Sequence, residues 1–472
     1  MRHHLIYIAA LFFIGTTSCF AQQLTWEQCR QMALEHNKDV QSAKIQAKQT
    51  ETDIQTYKSN FYPRLNLIAA DMYSTGKGSF TMQGGHLPIY NFNNAVGTYV
   101  PNVTPQADGS YTLNEYADFP DQKLDLKIKN VFLGAVTFTQ PLYTGGKITT
   151  AYEMSQIGNQ MADLNVQLTE EEVLVNTKEA YILTIKAQEM TTVAESYKAL
   201  LEELYKNVES AFRHGLKTRN DMMKVQVKLN EVELNITKAK NAHSLAIMNL
   251  CHYIGLPLDS KIDVKPISNA NDGTKIYPNM DFQTNINARK EYVLLEKKAQ
   301  IAEKQVKLVR SEYMPNVMLI GGYSYTNGLE LAGKKLFNDG AASIAIGVKM
   351  PLYTFGESLS KIKSAKSKYE SALLEKDNFS EKMMLEQQQA YNRLMEAQKE
   401  LDLTTLSLQQ AQENMRLSKQ QYEVGFESLS DYLEAQAIWQ TAYSNKVNAQ
   451  CELELMQLKY SKAMGDVDFL NQ

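Results

Sequence analysis

The stretch Val424-Gly425-Phe426-Glu427-Ser428-Leu429-Ser430-Asp431-Tyr432-Leu433-Glu434-Ala435-Gln436 decides the fold. It puts one glycine near the middle of a run, residues 352–472, that holds no proline. Proline inside a helix removes a hydrogen bond and clashes with the preceding turn, so this run is free to be helical. The run is too long for one ordinary helix, and Gly425 supplies the positive φ that a chain reversal needs. Two antiparallel helices joined at Gly425 follow. Residues 142–256 also lack proline and are interrupted once, at His214-Gly215-Leu216. There the punctuation predicts a helix over residues 147–213, roughly 100 Å long at about 1.5 Å per residue. Its partner over residues 219–254 is half that length.

The apolar pattern supports both hairpins. Met222, Val225, Leu229, Val232, Ile236, Ala239, His243, Ala246 and Leu250 step by three and four, which is a heptad seam. Leu394, Leu401, Leu408, Met415 and Tyr422 recur at seven, and Tyr432, Ala435, Trp439, Ala442, Ala449, Met456 and Tyr460 carry the idea past Gly425. His243 lies on a seam and reads as a packed residue rather than a ligand. Cys29, Cys251 and Cys451 are an odd number without CxxC spacing, which fits helix packing rather than a disulfide framework or a zinc site.

Four proline-flanked segments alternate with period two: about 63–74, 125–143, 315–326 and 341–353. Leu65, Leu67 and Ala69 fall on one side of the first, and Ile344, Ile346, Val348 and Met350 on one side of the last. An apolar face and a small or polar face suit lipid outside and water inside a barrel. A soluble sandwich strand shows the same alternation. Tyr62, Tyr143, Tyr313 and Tyr353 cluster at one end of these strands, as in an interfacial aromatic belt. Residues 75–124 and 327–340 read as loops between the strands.

The chain repeats itself. Pro141-Leu142-Tyr143-Thr144 matches Pro351-Leu352-Tyr353-Thr354 at an offset of 210, as do Gly215 and Gly425, Thr218 and Ser428, Asp221 and Asp431, and Gln226 and Gln436. The first repeat runs over 22–268 with a tip near 215, and the second over 269–472 with a tip near 425. The fold class is therefore α+β and mostly α: long coiled-coil-like helical hairpins plus four strands contributed to a membrane barrel. Four strands cannot close a barrel, and bacterial barrels begin at about eight. Open edges are forbidden in lipid, so the chain must oligomerise through its sheet edges.

Composition excludes several classes. The net charge of −4 offers no nucleic-acid surface. Mean hydropathy is −0.37, and no apolar run of about 18 residues follows the N-terminus, so any span is β. Residues 1–21 read as a signal peptide: Arg2, His3 and His4, an apolar stretch Leu5 to Gly15, then Cys19-Phe20-Ala21 before Gln22. Lipidation at Cys19 is the alternative. The chain has no HExxH, nucleophile elbow or P-loop. No catalytic residue, cofactor or metal site is expected.

These features together resemble the outer-membrane efflux duct family, the TolC family. Leu24-Thr25-Trp26-Glu27-Gln28 resembles its opening helix, Tyr62-Pro63-Arg64-Leu65 its entry into the first strand, and the stretch from Val424 to Gln436 its periplasmic tip. The resemblance implies a homotrimer in outer-membrane lipid, with a twelve-strand barrel and a twelve-helix tunnel that docks on a periplasmic adaptor (membrane fusion protein) and an inner-membrane pump. It implies that Asp431 and Glu434 form a gate constriction, and that Tyr422 and Asp221 form a tip pair that helps keep it shut. The turns at Gly215, Thr218, Gly425 and Ser428 are then where the adaptor docks. Glu427 departs from the basic latch residue of a well-known member, and Lys217 or Arg219 is left to supply the cation. Type I protein secretion with the same fold, or a non-conducting periplasmic helical scaffold, are the competing functions.

Overall fold

A computed structural model of the chain describes residues 22–73, 75, 77–265, 286–287, 289–331, 334–336 and 339–466. The expected signal peptide, Cys19 and the boundary between the two repeats lie outside the described residues. The chain divides into a helical unit (Met1–Ile54, Glu153–Val306, Ser364–Gln472) and a β-rich unit (Gln55–Tyr152, Lys307–Lys363). No helix among the described residues is long and apolar enough to cross a membrane.

The helical unit is dominated by two hairpins. Helix α3 (Lys147–Arg213) is followed by α4 (Arg219–Ile254), and α6 (Glu357–Glu423) by α7 (Leu429–Met464). The long members each have 67 residues and the short members 36. Their ends are set by local chemistry. Thr218 and Ser428 are N-caps in capping boxes with Asp221 and Asp431, and Gly255 and Gly465 close the short helices in the left-handed conformation, at φ of 76° and 72°. Apolar seams join the helices in several clusters, the one toward the tips holding Tyr197, Leu201, Leu204 and Val208 of α3, Val225, Val232 and Ile236 of α4, and Tyr432, Leu433 and Trp439 of α7.

Helices α1 (Trp26–His36) and α2 (Lys38–Ser59) are separate because Asn37 intervenes. Its Oδ1 accepts from the Asp39 amide at 2.8 Å, and its Nδ2 donates to the Tyr253 carbonyl in the last turn of α4 at 3.0 Å. Before α1, β1 (Gln22–Leu24) pairs in parallel with β11 (Ile262–Val264), a contact the proline and heptad pattern does not signal. In the second repeat the carbonyl equivalent to that of Tyr253, on Ala463, accepts from Gln387 Nε2 at 3.1 Å and from Arg289 Nη1 at 3.2 Å. Arg289 precedes α5 (Lys290–Ser311) and is itself buried, paired with Glu291 and Glu386. One task, anchoring the end of the short helix, is thus done by an amide in one repeat and by a guanidinium with an amide in the other.

The β-rich unit is built on β2 (Arg64–Tyr73), β3 (Lys77–Met82), β10 (Gln122–Tyr143), β12 (Asn316–Leu331), β13 (Lys334–Leu336) and β14 (Gly340–Lys349). β2 and β3 pair with successive parts of β10, and β13 and β14 with successive parts of β12. The sheet is therefore four strands wide, antiparallel throughout, with two unpaired outer edges. The register aligns its faces. One row reads Leu65, Phe138, Gly321, Ile344 and the next Leu67, Val136, Tyr323, Ala342. The opposite face reads Asn66, Thr137, Gly322, Ser343. A Cβ at Gly321 would lie 2.4 Å from the Phe138 ring, so glycine there makes room for the aromatic on the apolar face. All of β2 is exposed in the single protomer, with Leu65 and Leu67 at 72% and 76%. A soluble sheet would bury that face on its own chain.

Two loop expectations are corrected. Within 75–124 the chain also forms β4 (Gly85–Pro88), β5 (Tyr90–Asn93), β6 (Thr98–Pro101), β7 (Val103–Pro105), β8 (Tyr111–Leu113) and β9 (Tyr116–Phe119), paired β4 with β9, β5 with β6 and β7 with β8. The turns at Asn93–Gly97 and Asp108-Gly109 fold the aromatic segments back on themselves. Likewise β12 continues to Leu331 and β13 follows, which shortens the second loop.

Candidate functional site

The two hairpin tips are built alike. At each, the long helix ends in a pair of reversed bonds: Leu216 N–H to the Ala211 carbonyl and Gly215 N–H to that of Phe212, both 2.9 Å, and Phe426 N–H to Gln421 at 2.9 Å with Gly425 N–H to Tyr422 at 3.2 Å. This is the Schellman arrangement, and it requires the positive φ of Gly215 (77°) and Gly425 (85°). Thr218 Oγ1 and its amide donate to Asp221 Oδ2 at 2.8 and 3.0 Å. Ser428 does the same to Asp431 Oδ2, at 2.7 Å from Oγ and 3.3 Å from the amide.

The expected gate residues converge on this end of the hairpins. Tyr422, at the end of α6, stacks on Tyr432 of α7 at 5.3 Å and 19°. Lys217 Nζ lies 4.6 Å from the Tyr422 ring centroid, a cation–π contact between the two tips. Burial pushes the Tyr422 phenol up, and the nearby Asp221 carboxylate adds to that. The hydrogen bonds of Asp221 itself go to Thr218, whose amide and hydroxyl hold its carboxyl below the ordinary range. Lys217 thus engages Tyr422. Glu427 has a solvent-shielded Oε2 with no hydrogen-bond partner.

Asp431 and Glu434 are both exposed on the face of α7 turned away from its seam, whereas Tyr432, Leu433, Ala435 and Gln436 between and beside them are buried. The spacing of three puts their carboxylates on one stripe. Glu434 also lines a groove of about 590 Å³ between α4 and α7, with Met223, Val227 and Leu433 on its apolar floor and Lys224 and Lys228 opposite. Lys224 Nζ crosses it to Ser430 Oγ at 3.0 Å.

Sequence reasoning missed the apolar points of the tips. Leu216, Val424 and Phe426 are 78%, 67% and 89% exposed. The residue after a Schellman glycine ordinarily packs back on its helix; here both stand free. Their signal was available, as large apolar residues beside a turn glycine in a polar setting. Among the described residues no group of three or more His, Cys, Asp or Glu could hold a metal ion, and Cys29, Cys251 and Cys451 are free and buried.

Comparison with known families gives the frame for this geometry. The sequence model described as "Outer membrane efflux protein" matches residues 29–256 and 295–465. The chain belongs to the outer membrane efflux protein family. Members of this family are channel-tunnels, not enzymes. Solved structures share the fold at low identity. The Campylobacter jejuni CmeC outer membrane channel aligns with TM-score 0.71 and 18% identity, over 93% of this chain and 85% of that one. The outer membrane protein VceC of Vibrio cholerae gives 0.69 and 15%, over 93% and 96%. The open state of the Neisseria gonorrhoeae MtrE outer membrane channel gives 0.67 and 16%, over 93% and 88%. No individual curated protein sequence matches the efflux protein.

Proposed function

We propose that Asp431 and Glu434 form the charged constriction of this outer-membrane efflux channel, and that the α3–α4 and α6–α7 tips decide whether it is open. The channel is the outer-membrane component of a tripartite pump, a homotrimer that passively conducts small molecules delivered by an inner-membrane transporter through a periplasmic adaptor. Residues 1–21 are removed on export, and 22–268 and 269–472 act as the two repeats. Three copies of the four-stranded sheet give twelve strands, enough to close a barrel.

The observation that carries the gate is the exposed acidic stripe on an otherwise buried stretch of α7. Three subunits bring six such carboxylates toward one axis, and rings of that kind favour cations and oppose anions. The turns at Gly215, Thr218, Gly425 and Ser428, with the free apolar points Leu216 and Phe426, serve as the adaptor's landing sites. Lys217 on the Tyr422 ring is the cationic tie between the two tips of one protomer. Asp431→Ala with Glu434→Ala is expected to raise resting conductance in planar bilayers and to weaken cation selectivity. Unchanged conductance and selectivity in that double variant would remove the assignment.

A further inference from the structure

The segment 84–121 is folded but has no core. Every one of its residues is exposed or half-buried, and none is buried. Its strands form three separate two-stranded ribbons. Such ribbons are marginal in water by themselves and need a further packing surface. Yet the segment is well tied together: the Ile89 amide bonds to the Glu115 carbonyl at 3.2 Å, Asn102 to Ile89 at 2.8 Å, and Asn114 to Asn102 at 3.1 Å. Leu87, Tyr90, Phe92, Val96, Tyr99 and Tyr111 stand 54–70% exposed on it. Exposed apolar surface of this kind marks an interaction site.

Its position identifies the occupant. β3 and β10 pair up to Met82 and Gln122, and β4 and β9 resume from Gly85 and Phe119 in the same register. Gly84 N–H donates to Asp121 Oδ1 at 2.6 Å across the gap, and a Cβ on Gly84 would meet the Phe119 carbonyl at 2.1 Å. The module is therefore a continuation of the sheet at its β2–β3 edge, where the next protomer must pair. Its chemistry excludes an anionic partner: residues 83–121 hold four carboxylates and no lysine or arginine. Those carboxylates are used internally, Asp108 by Ser110, Glu115 by Asn102, Asp118 by His86 and Asp121 by Gly84. What remains outward is uncharged, the apolar and aromatic side chains interspersed with Asn, Gln and Thr, and suits a surface of the same kind.

We propose that the modules of the three protomers pack against one another outside the barrel mouth, forming a collar that is a second zone of trimer contact. The proposal rests on the trimeric barrel, whose integrity is read separately. Single cysteines placed at Leu87, Val96 and Ala107 of the full-length protein (Leu87→Cys, Val96→Cys, Ala107→Cys) are treated in outer-membrane vesicles with a short bis-maleimide. The native Cys29, Cys251 and Cys451 are buried and give the background. Covalent dimers and trimers from at least one position are expected, with a several-fold loss of cross-link when Tyr90, Tyr99 and Tyr111 are changed together to alanine. Full reaction with a monofunctional maleimide at all three positions, without cross-links, would overturn the collar. Protection from both reagents in membranes but not in detergent would assign the surface to lipid instead, and would also overturn it. Trimer resistance to SDS, followed in every sample, shows whether the barrel itself has assembled.

Discussion

Ser418 precedes Tyr422 by one turn on α6, and Gln436 follows Tyr432 by one turn on α7. Because the two tyrosines stack, antiparallel geometry brings Ser418 and Gln436 to one level. Both are buried; Ser418 Oγ and Gln436 Oε1 lack hydrogen-bond partners, while the Gln436 amide nitrogen faces the Tyr432 hydroxyl and offsets part of the upward push that burial gives that phenol. The equivalent level of the first hairpin is apolar: Val208 is buried there, and Gln226 turns out to bond Asn230 at 3.1 Å. Orphaned buried polar groups cost about 1–3 kcal/mol each. Ser418→Ala is therefore expected to stabilise the α6–α7 hairpin by an amount of that order, seen as a raised trimer Tm; a lowered Tm would mean the hydroxyl is satisfied. Asp221 gives a pH dependence at the same scale. Its carboxyl is lowered in the fold by Thr218, so its contribution is present above the ordinary carboxylate range and is lost as pH falls through its depressed folded value. Hydrogen exchange at the Thr218–Met222 amides should stay slow through mildly acid pH and quicken only below that range. Thr218-x-x-Asp221 carries a capping signature in the sequence, which the reading of Asp221 as one of the gate pair left unused. That capping takes up the carboxylate, leaving Tyr422 to Tyr432 and Lys217, depends on distances no spacing contains.

At the scale of elements, the helical hairpins were legible because proline and glycine punctuate long, otherwise uniform runs. The expected 147–213 and 219–254 are the observed α3 and α4. The hairpins of 85–119 were hidden for the opposite reason. Glycine, asparagine and proline are frequent there, and strands of three or four residues are too short for alternation to stand out. β1 and β11 lie far apart in sequence, so no local pattern announces their pairing. Gly425 tests the tip. Its φ of 85° is closed to proline, and its N–H donates to Tyr422. Gly425→Pro is expected to abolish efflux complementation in cells while the β-rich unit still folds and inserts; Gly425→Ala should cost about 1–2 kcal/mol and leave partial function.

For the whole molecule, the decisive fact is a sheet with two unpaired edges and one apolar face. Ile344, Ile346 and Val348 line that face on β14, and Ala345 points the other way. Ile346→Lys is expected to destabilise the inserted trimer by about 2–4 kcal/mol, the price of a cation facing lipid near the midplane. Ala345→Lys should insert normally and alter conductance instead. Urea titration of the protein refolded into vesicles distinguishes the two.

The matched helix lengths also limit how such a protein can change over generations. Inserting one heptad into α3 alone would set its tip out of step with that of α6 by about 10 Å. A longer or shorter conduit therefore demands coordinated edits in both halves of the gene, with compensation in each returning helix. Beyond β3 and β10 there is no such partner to match: one half carries a folded module there, whereas in the other only two residues of sequence separate β12 from β13. Innovation in this architecture is cheap on the outward side and almost locked on the inward one.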